Sequence, residues 1–250
     1  MLKKNYFSII IPVFNGYEFI DKCLKSVLNQ SYKKYEVIII NDYSKDNTKN
    51  LLEAYKKNKK IIVINNKENI GADSSRNEGL KIAKGHYIAF LDIDDCWHPD
   101  FLKIYKKYFD QGYEFLYSSY IRVKDNIEIN KVIVPDKINY NMMKYSNFIA
   151  LSTASFDRTK VGEHYFQTNL KICEDYVFWI SLFKKNHFKN KGIQQPLMNY
   201  RISQNSLSSN KLKTFYEVYL IHKQYFNHGL VKIVFYLSCW VLINIKKRVG

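Results

Sequence analysis

The chain has 250 residues, 46% of them hydrophobic and 16% aromatic, with only 9 Gly and 4 Pro. That is ample for a packed core in one large domain or two small ones, and it excludes global disorder. A net charge of +16 and a pI near 9.4 point to an anionic partner (nucleic acid, an anionic membrane or a phosphorylated substrate), or else to a lysine-rich solvated surface.

The first hundred residues alternate between two periodicities. Phe7 to Val13 is an apolar β run. Tyr17 to Gln30 has helical spacing through Phe19, Ile20, Leu24, Val27 and Leu28. Glu36 to Ile40 is a buried strand, and Asp46 to Tyr55 a helix with Asp46 as its cap. Ile61 to Asn65 is a third strand, Ser74 to Ala83 a helix, and His86 to Leu91 a fourth strand. Pro99 to Phe109 forms the next helix, its Pro tolerated near the start. Repeated β–α–β units of this length imply a mainly parallel sheet with right-handed crossovers.

Beyond Gly112 the pattern weakens. Glu114 to Val123 and Ile127 to Val134 read as strands, and Tyr140 to Phe148 as helical. Thr153 to Gln167 gives no clear period. Glu174 to Lys185 and Ser208 to Phe226 are helices. Leu230 to Ile245 is nearly all apolar and precedes Lys246-Lys247-Arg248. It is shorter than the roughly 20 residues that span a bilayer, and Lys232 interrupts it. It is either an interfacial helix with basic ends or a helix packed on the domain. Cys23, Cys96, Cys173 and Cys239 form no CxxC pair, so neither zinc nor a disulfide framework is indicated and a reduced cytosol is the simplest setting. The chain enters a strand almost at once, so no cleavable signal peptide is expected.

Chemistry-bearing residues gather where strands should end. The strand through Ala89-Phe90-Leu91 runs into Asp92-Ile93-Asp94-Asp95. Acids one residue apart on an extended chain point to the same side. Asp92 and Asp94 can therefore converge on a hard cation whose shell is completed by water and substrate phosphates; alone, such a cluster is more often a solvated turn. Pro12-Val13-Phe14-Asn15-Gly16, with Glu18 just inside the helix, is a strand-to-helix loop whose backbone N–H groups can hold a base or diphosphate, or an ordinary turn. Asp42, in Asn41-Asp42-Tyr43-Ser44, is either an acceptor for a pyrimidine N–H or ribose hydroxyl, or a turn carboxylate. Arg76, in Asn69-Ile70-Gly71-Ala72-Asp73-Ser74-Ser75-Arg76-Asn77-Glu78-Gly79, is placed to stack on a base or pair with an acid, or is a surface Arg. Glu174 and Asp175 start a helix, where the dipole favours acids; a general base for an acceptor hydroxyl is the functional reading.

Taken in order and spacing, these five segments resemble the family 2 glycosyltransferases, inverting nucleotide-sugar-dependent enzymes of the GT-A fold. The resemblance covers roughly residues 7 to 210, and Tyr200-Arg201 followed by Ser206-Leu207-Ser208 is similar to the family's C-terminal signature. It implies a GT-A α/β domain over 1–210, with a nucleotide-binding half (1–110) and an acceptor half (111–210); the C-terminal helices (211–250) that follow are either membrane-associated or packed on the domain. It also implies that Phe14, Glu18 and Asp42 contact the nucleoside, with Pro12, Val13 and Asn15 shaping the pocket. Arg76 would lie near base and diphosphate. Asp92-Ile93-Asp94 matches the Asp-x-Asp signature for Mn²⁺ or Mg²⁺, with Asp94 foremost as ligand. Asp175 matches the base, with Glu174 beside it, and Arg201 and Ser208 would lie near the diphosphate or a closing loop. Asn41 and Tyr43 depart from the commoner Asp and Gly, and Tyr43 is unfavourable if its turn needs positive φ. Asp73 adds an acid where a small residue is usual.

The function so implied is transfer of a hexose or N-acetylhexosamine, with UDP the expected nucleotide, to a surface-glycan or lipid-linked acceptor. The expected setting is cytoplasmic, peripheral on the inner face of the membrane. Two alternatives stand beside it: transfer to a polyprenyl phosphate, and a non-catalytic nucleotide-sugar binder. Nucleic acid is not expected as a partner, because such binding explains none of the acidic motifs and no RNP, KH or zinc pattern is present.

Overall fold

The computed structural model describes residues 2–168, 173–185, 187–202 and 211–249. Among them the first half runs β1 (Lys3–Val13), α1 (Tyr17–Leu28), β2 (Tyr35–Asn41), α2 (Thr48–Tyr55), β3 (Ile61–Asn65), α3 (Ala72–Ile82) and β4 (Gly85–Phe90). The short β5 (Cys96–Trp97) and α4 (Phe101–Asp110) follow. The second half runs β6 (Phe115–Lys124), β7 (Ile127–Val132), β8 (Ser155–Asp157), α5 (Arg158–Val161), α6 (Glu174–Lys185), β9 (Asn190–Arg201), α7 (Lys211–Gln224) and α8 (Leu230–Val249).

One sheet takes the order β3-β2-β1-β4-β8-β6-β9-β5, with β7 paired on β6. β1 to β4 are parallel; β8 is antiparallel to both β4 and β6. Alternation along the strands splits the core into two layers. Phe7, Ile9, Ile11 and Val13 of β1 face α1 and α4, while Ile10 faces the cluster that contains Leu80 of α3 and Tyr176 to Phe183 of α6. β1 lies between β2 and β4, so the chain reverses its winding direction there. Such a switch point opens a crevice at the strands' carboxyl ends, here between the loops after Val13 and after Phe90.

Two sequence expectations change. Residues 140–148 hold only a 3₁₀ turn, Met142–Lys144, because Asn139 Oδ1 accepts from Met142 N at 3.0 Å and Asn147 Oδ1 from Ile149 N at 3.1 Å, which competes with helical pairing. β9 was not expected; it runs parallel to β6 with register shifts about Ser119 and Pro196. Gly192 lets β9 pass Pro135, whose carbonyl O would stand 2.0 Å from an added Cβ. Ser208 and the first residues of the expected 208–226 helix lie outside the described residues.

Candidate active site

The loops after β1, β2 and β3 are knitted to one another. Asn15 N donates to Ser44 Oγ at 3.0 Å, Gly16 N to Thr48 Oγ1 at 3.0 Å and Tyr17 N to Asp46 Oδ2 at 3.2 Å. The N–H groups at the start of α1 are therefore spent within the protein, which corrects the expectation that they would cradle a base or diphosphate. Asp46 bonds Thr48 N while Asn47 stands at the cap position of α2. Asp42 is 2% exposed. Its Oδ1 accepts from Asn66 Nδ2 (2.8 Å) and Ile70 N (2.9 Å), and its Oδ2 from Gly71 N (2.8 Å). Asp42 thus organises the 66–71 loop, with about one of a carboxylate's four acceptor positions left. Tyr43 does take positive φ, 62°, a strained conformation for a bulky residue, and its ring lies 3.3 Å under Lys45 Nζ.

Pro12, Val13, Phe14, Asn15, Asp42, Arg76, Asp92, Ile93 and Asp94 line one pocket of about 270 Å³. Glu18 is not among them. It lines a neighbouring pocket of about 300 Å³ with Phe19, Asp94 and Arg201, where the Arg201 guanidinium lies 4.2 Å over Phe19. Phe14, half exposed at 50%, stands between the first pocket and a larger cavity of about 850 Å³. Arg76, Asp92, Asp94, Glu174 and Asp175 all line that cavity, so residues from α3, the β4 end and α6 meet there.

Arg76 is the charge hub. It is 7% exposed and donates to Asp92 Oδ1 at 2.7 Å and Asp73 Oδ1 at 3.1 Å. Its pKa is raised because Asp92 and Asp73 outweigh the cost of burial. Burial and Glu174 push Asp73 up to about 8 against the pull of Arg76, and the two carboxyls share a hydrogen bond. Burial, then Asp92, pushes Asp94 up to about 6 against the pull of Arg201. Asp95 turns inward, 1% exposed, and accepts from Arg201 N at 3.1 Å, tying β9 to the β4 loop. Asp175 Oδ2 accepts from Asn147 Nδ2 at 2.8 Å and Oδ1 from its own helix at Tyr176 N, 2.8 Å; burial pushes its carboxyl up to about 6.

Two groups, Ser152 and Asn147, escaped the sequence reading, and a third, Asn77, stood in the Arg76 segment with no role assigned. Ser152 accepts from Asp92 N at 3.0 Å and steadies Asp95. Asn147 holds Asp175. Asn77, 8% exposed, grips both backbone groups of Phe166, at 2.8 and 2.9 Å, and so fixes α3. Ser152 and Asn147 belong to no spacing pattern.

Among the described residues no three metal-ligating side chains converge. The donor set of Asp92 and Asp94 still fits a hard cation that takes its remaining ligands from water and phosphate, and positive charge is what would offset the raised Asp94 carboxyl.

The model of glycosyl transferase family 2 matches residues 8–176. The chain belongs to that family. As a family 2 glycosyltransferase it is an enzyme that uses a nucleotide sugar, and its mixed sheet with flanking helices is the GT-A fold. WfgD of Escherichia coli, a UDP-Glc:α-D-GlcNAc-diphosphoundecaprenol β-1,3-glucosyltransferase, is 32% identical over 242 residues, covering 96% of this chain and 94% of its own. S. aureus TarS 1–349 in complex with UDP-GlcNAc superposes with TM-score 0.73 at 21% identity, over 94% of this chain and 71% of that one. The mannosyltransferase PcManGT of Pyrobaculum calidifontis, solved with GDP-Man and Mn²⁺, gives TM-score 0.66 at 16% identity, over 93% and 68%. No described helix of the family 2 chain is long and apolar enough to cross a membrane.

Proposed function

We propose that the protein transfers a hexose or N-acetylhexosamine from a UDP-sugar to a hydroxyl of a lipid-linked or surface-glycan acceptor, with inversion. The observation that carries this reading is that Asp92, Asp94 and Arg76 share one cavity with Asp175, donor-side charge facing a base. The half-exposed Phe14 offers its face to the base, and Asp42 keeps one acceptor position toward the nucleoside. Residues 1–110 supply this donor half, 111–210 supply Asn147, Glu174 and Asp175, and 211–250 form a helical extension.

In the reaction the acceptor oxygen attacks the anomeric carbon as the bond from that carbon to the diphosphate breaks. The proton passes to Asp175, and UDP leaves with the bonding pair. Inversion follows from a single displacement. Arg76 and Arg201 offset charge developing on the leaving diphosphate. Mn²⁺ or Mg²⁺ held by Asp94 and Asp92 would supply Lewis acidity there. The acceptor class rests on WfgD, whose acceptor is GlcNAc-diphosphoundecaprenol. With such an acceptor the protein would work at the cytoplasmic face of a membrane, where the exposed apolar row of α8 (Val231, Val234, Phe235, Leu242, Ile245) and its Lys246 would meet anionic lipid.

A panel of UDP-sugars with Mn²⁺, scored by UDP release with and without EDTA, tests the reading. One donor should give metal-dependent release. Asp94→Ala and Asp175→Asn should each lower transfer by about 10²–10⁴ with the fold retained. Binding of UDP without turnover on any acceptor would instead make the protein a nucleotide-sugar binder.

A further inference from the structure

Ile233, Leu237, Trp240, Asn244 and Lys247 recur at alternating spacings of four and three, one stripe of α8. Ile233 and Leu237 are buried and Trp240 packs on their cluster. Asn244 and Lys247 continue the stripe into the cavity that holds Asp175. The last turn is fixed by Asn130 Nδ2 of β7, which donates to Lys247 O at 2.8 Å. Lys247 Nζ donates to Asn147 O at 2.6 Å and Ser146 Oγ at 3.2 Å, and lies 5.1 Å from the Phe148 ring centroid. Asn147 is the residue whose amide holds Asp175.

Two described cations line this cavity. Arg76 is matched by Asp73 and Asp92. Lys247 is not in any ion pair of the described residues, and its hydrogen-bond acceptors are neutral. Burial draws its pKa down to about 8, with Asp175 opposing. The same cavity has apolar lining from Val132, Ile133, Val134, Pro135, Phe148 and Ile149, of which Phe148 borders the Lys247 ammonium. A half-buried cation with no ion-pair partner among the described residues, in a cavity that also has apolar lining, suits an anion that carries a hydrocarbon chain.

We propose that Lys247 binds the phosphate of a lipid-linked acceptor and so brings the accepting group to Asp175. This rests on the transfer reading above and assigns it a residue from outside the stretch matched by the family model. The phosphate gives Lys247 its counter-charge, the apolar wall takes the first part of the chain, and Asn147 links the two ends of the acceptor site. The wild type, Lys247→Met and Lys247→Arg are compared at saturating donor on three acceptors: a short-alkyl diphosphate-linked GlcNAc, neutral octyl GlcNAc glycoside and decyl phosphate. UDP affinity by calorimetry serves as the control for fold and donor site. Wild type should prefer the phosphate-bearing acceptors in kcat/KM by about 10- to 100-fold, the value of one charge-assisted bond. Lys247→Met should lose that preference, mostly through KM, and Lys247→Arg should keep it. Turnover of decyl phosphate with the same Lys247 dependence would support the assignment and identify the source as a lipid phosphate itself. Equal use of the neutral glycoside by wild type, or a preference that survives in Lys247→Met, would overturn it. A wild type that fails to bind UDP would overturn the transfer reading and this assignment with it.

Discussion

As the proposed base, Asp175 faces two opposed requirements. Its carboxyl, raised from 3.8 to about 6 by burial, is a stronger base than an exposed aspartate, yet its ionised form is less welcome in the folded protein than in the unfolded one. The sign follows directly: an acid raised on folding contributes stability below 3.8 and loses it as pH rises through about 6. Turnover should therefore rise with pH through about 6, while Asp175→Asn should melt higher than wild type at pH 7.5 and show a smaller advantage at pH 4.5. Thermal melts at the two pH values, beside a kcat profile, check both. The acids after β4 and Arg76 were legible through the motifs that carry them, although the extended-chain argument for Asp92 and Asp94 does not hold: Asp95 N donates to Asp92 O at 3.1 Å and the stretch is a turn. Ser152, Asn147 and Lys247 were not legible, because each reaches the site by tertiary packing from a segment with no motif of its own. Glu18 was read one pocket away from where the structure places it, since helix spacing gives a face and not a distance.

Elements position these residues with little slack. Gly79 of α3 stands against β1 and β2, and a Cβ there would fall 2.6 Å from Ile10 Cγ2 and 3.0 Å from Ile40 Cδ1. Gly79→Ala should lift α3 from the sheet, cost about 1–3 kcal/mol and displace Arg76, three residues earlier on the same helix. Denaturant unfolding and a UDP titration should show the two losses together; a stable variant with weakened UDP binding would place the strain in α3 alone. The β1 to β4 strands were legible because short apolar runs rich in β-branched or aromatic residues, bounded by turn residues, have few other solutions. β9 was hidden because Gly192, Gln194, Gln195 and Pro196 break both the apolar run and the alternation, and only pairing with β6 makes a strand of it. The 140–148 stretch misled because apolar spacing there competes with asparagine side chains that capture the backbone.

For the whole molecule, the +16 charge and the exposed row on α8 act in the same direction. Phe235 and Leu242 are 55% and 68% exposed, and each basic residue near an anionic leaflet adds about 1 kcal/mol. The protein should sediment with phosphatidylglycerol vesicles at low salt and release as salt rises. Phe235→Glu with Leu242→Glu should weaken binding at every salt concentration without changing UDP affinity; unchanged sedimentation would leave charge as the whole cause. The bond from Arg201 N to Asp95 spans 106 residues, and this has a consequence during synthesis. At about 5–20 residues per second, the donor loops leave the ribosome several seconds before the strand that holds the inner acid of the Asp-rich loop. A nascent chain therefore carries its nucleotide loops without a finished catalytic centre, and donor hydrolysis should begin only after β9 has docked.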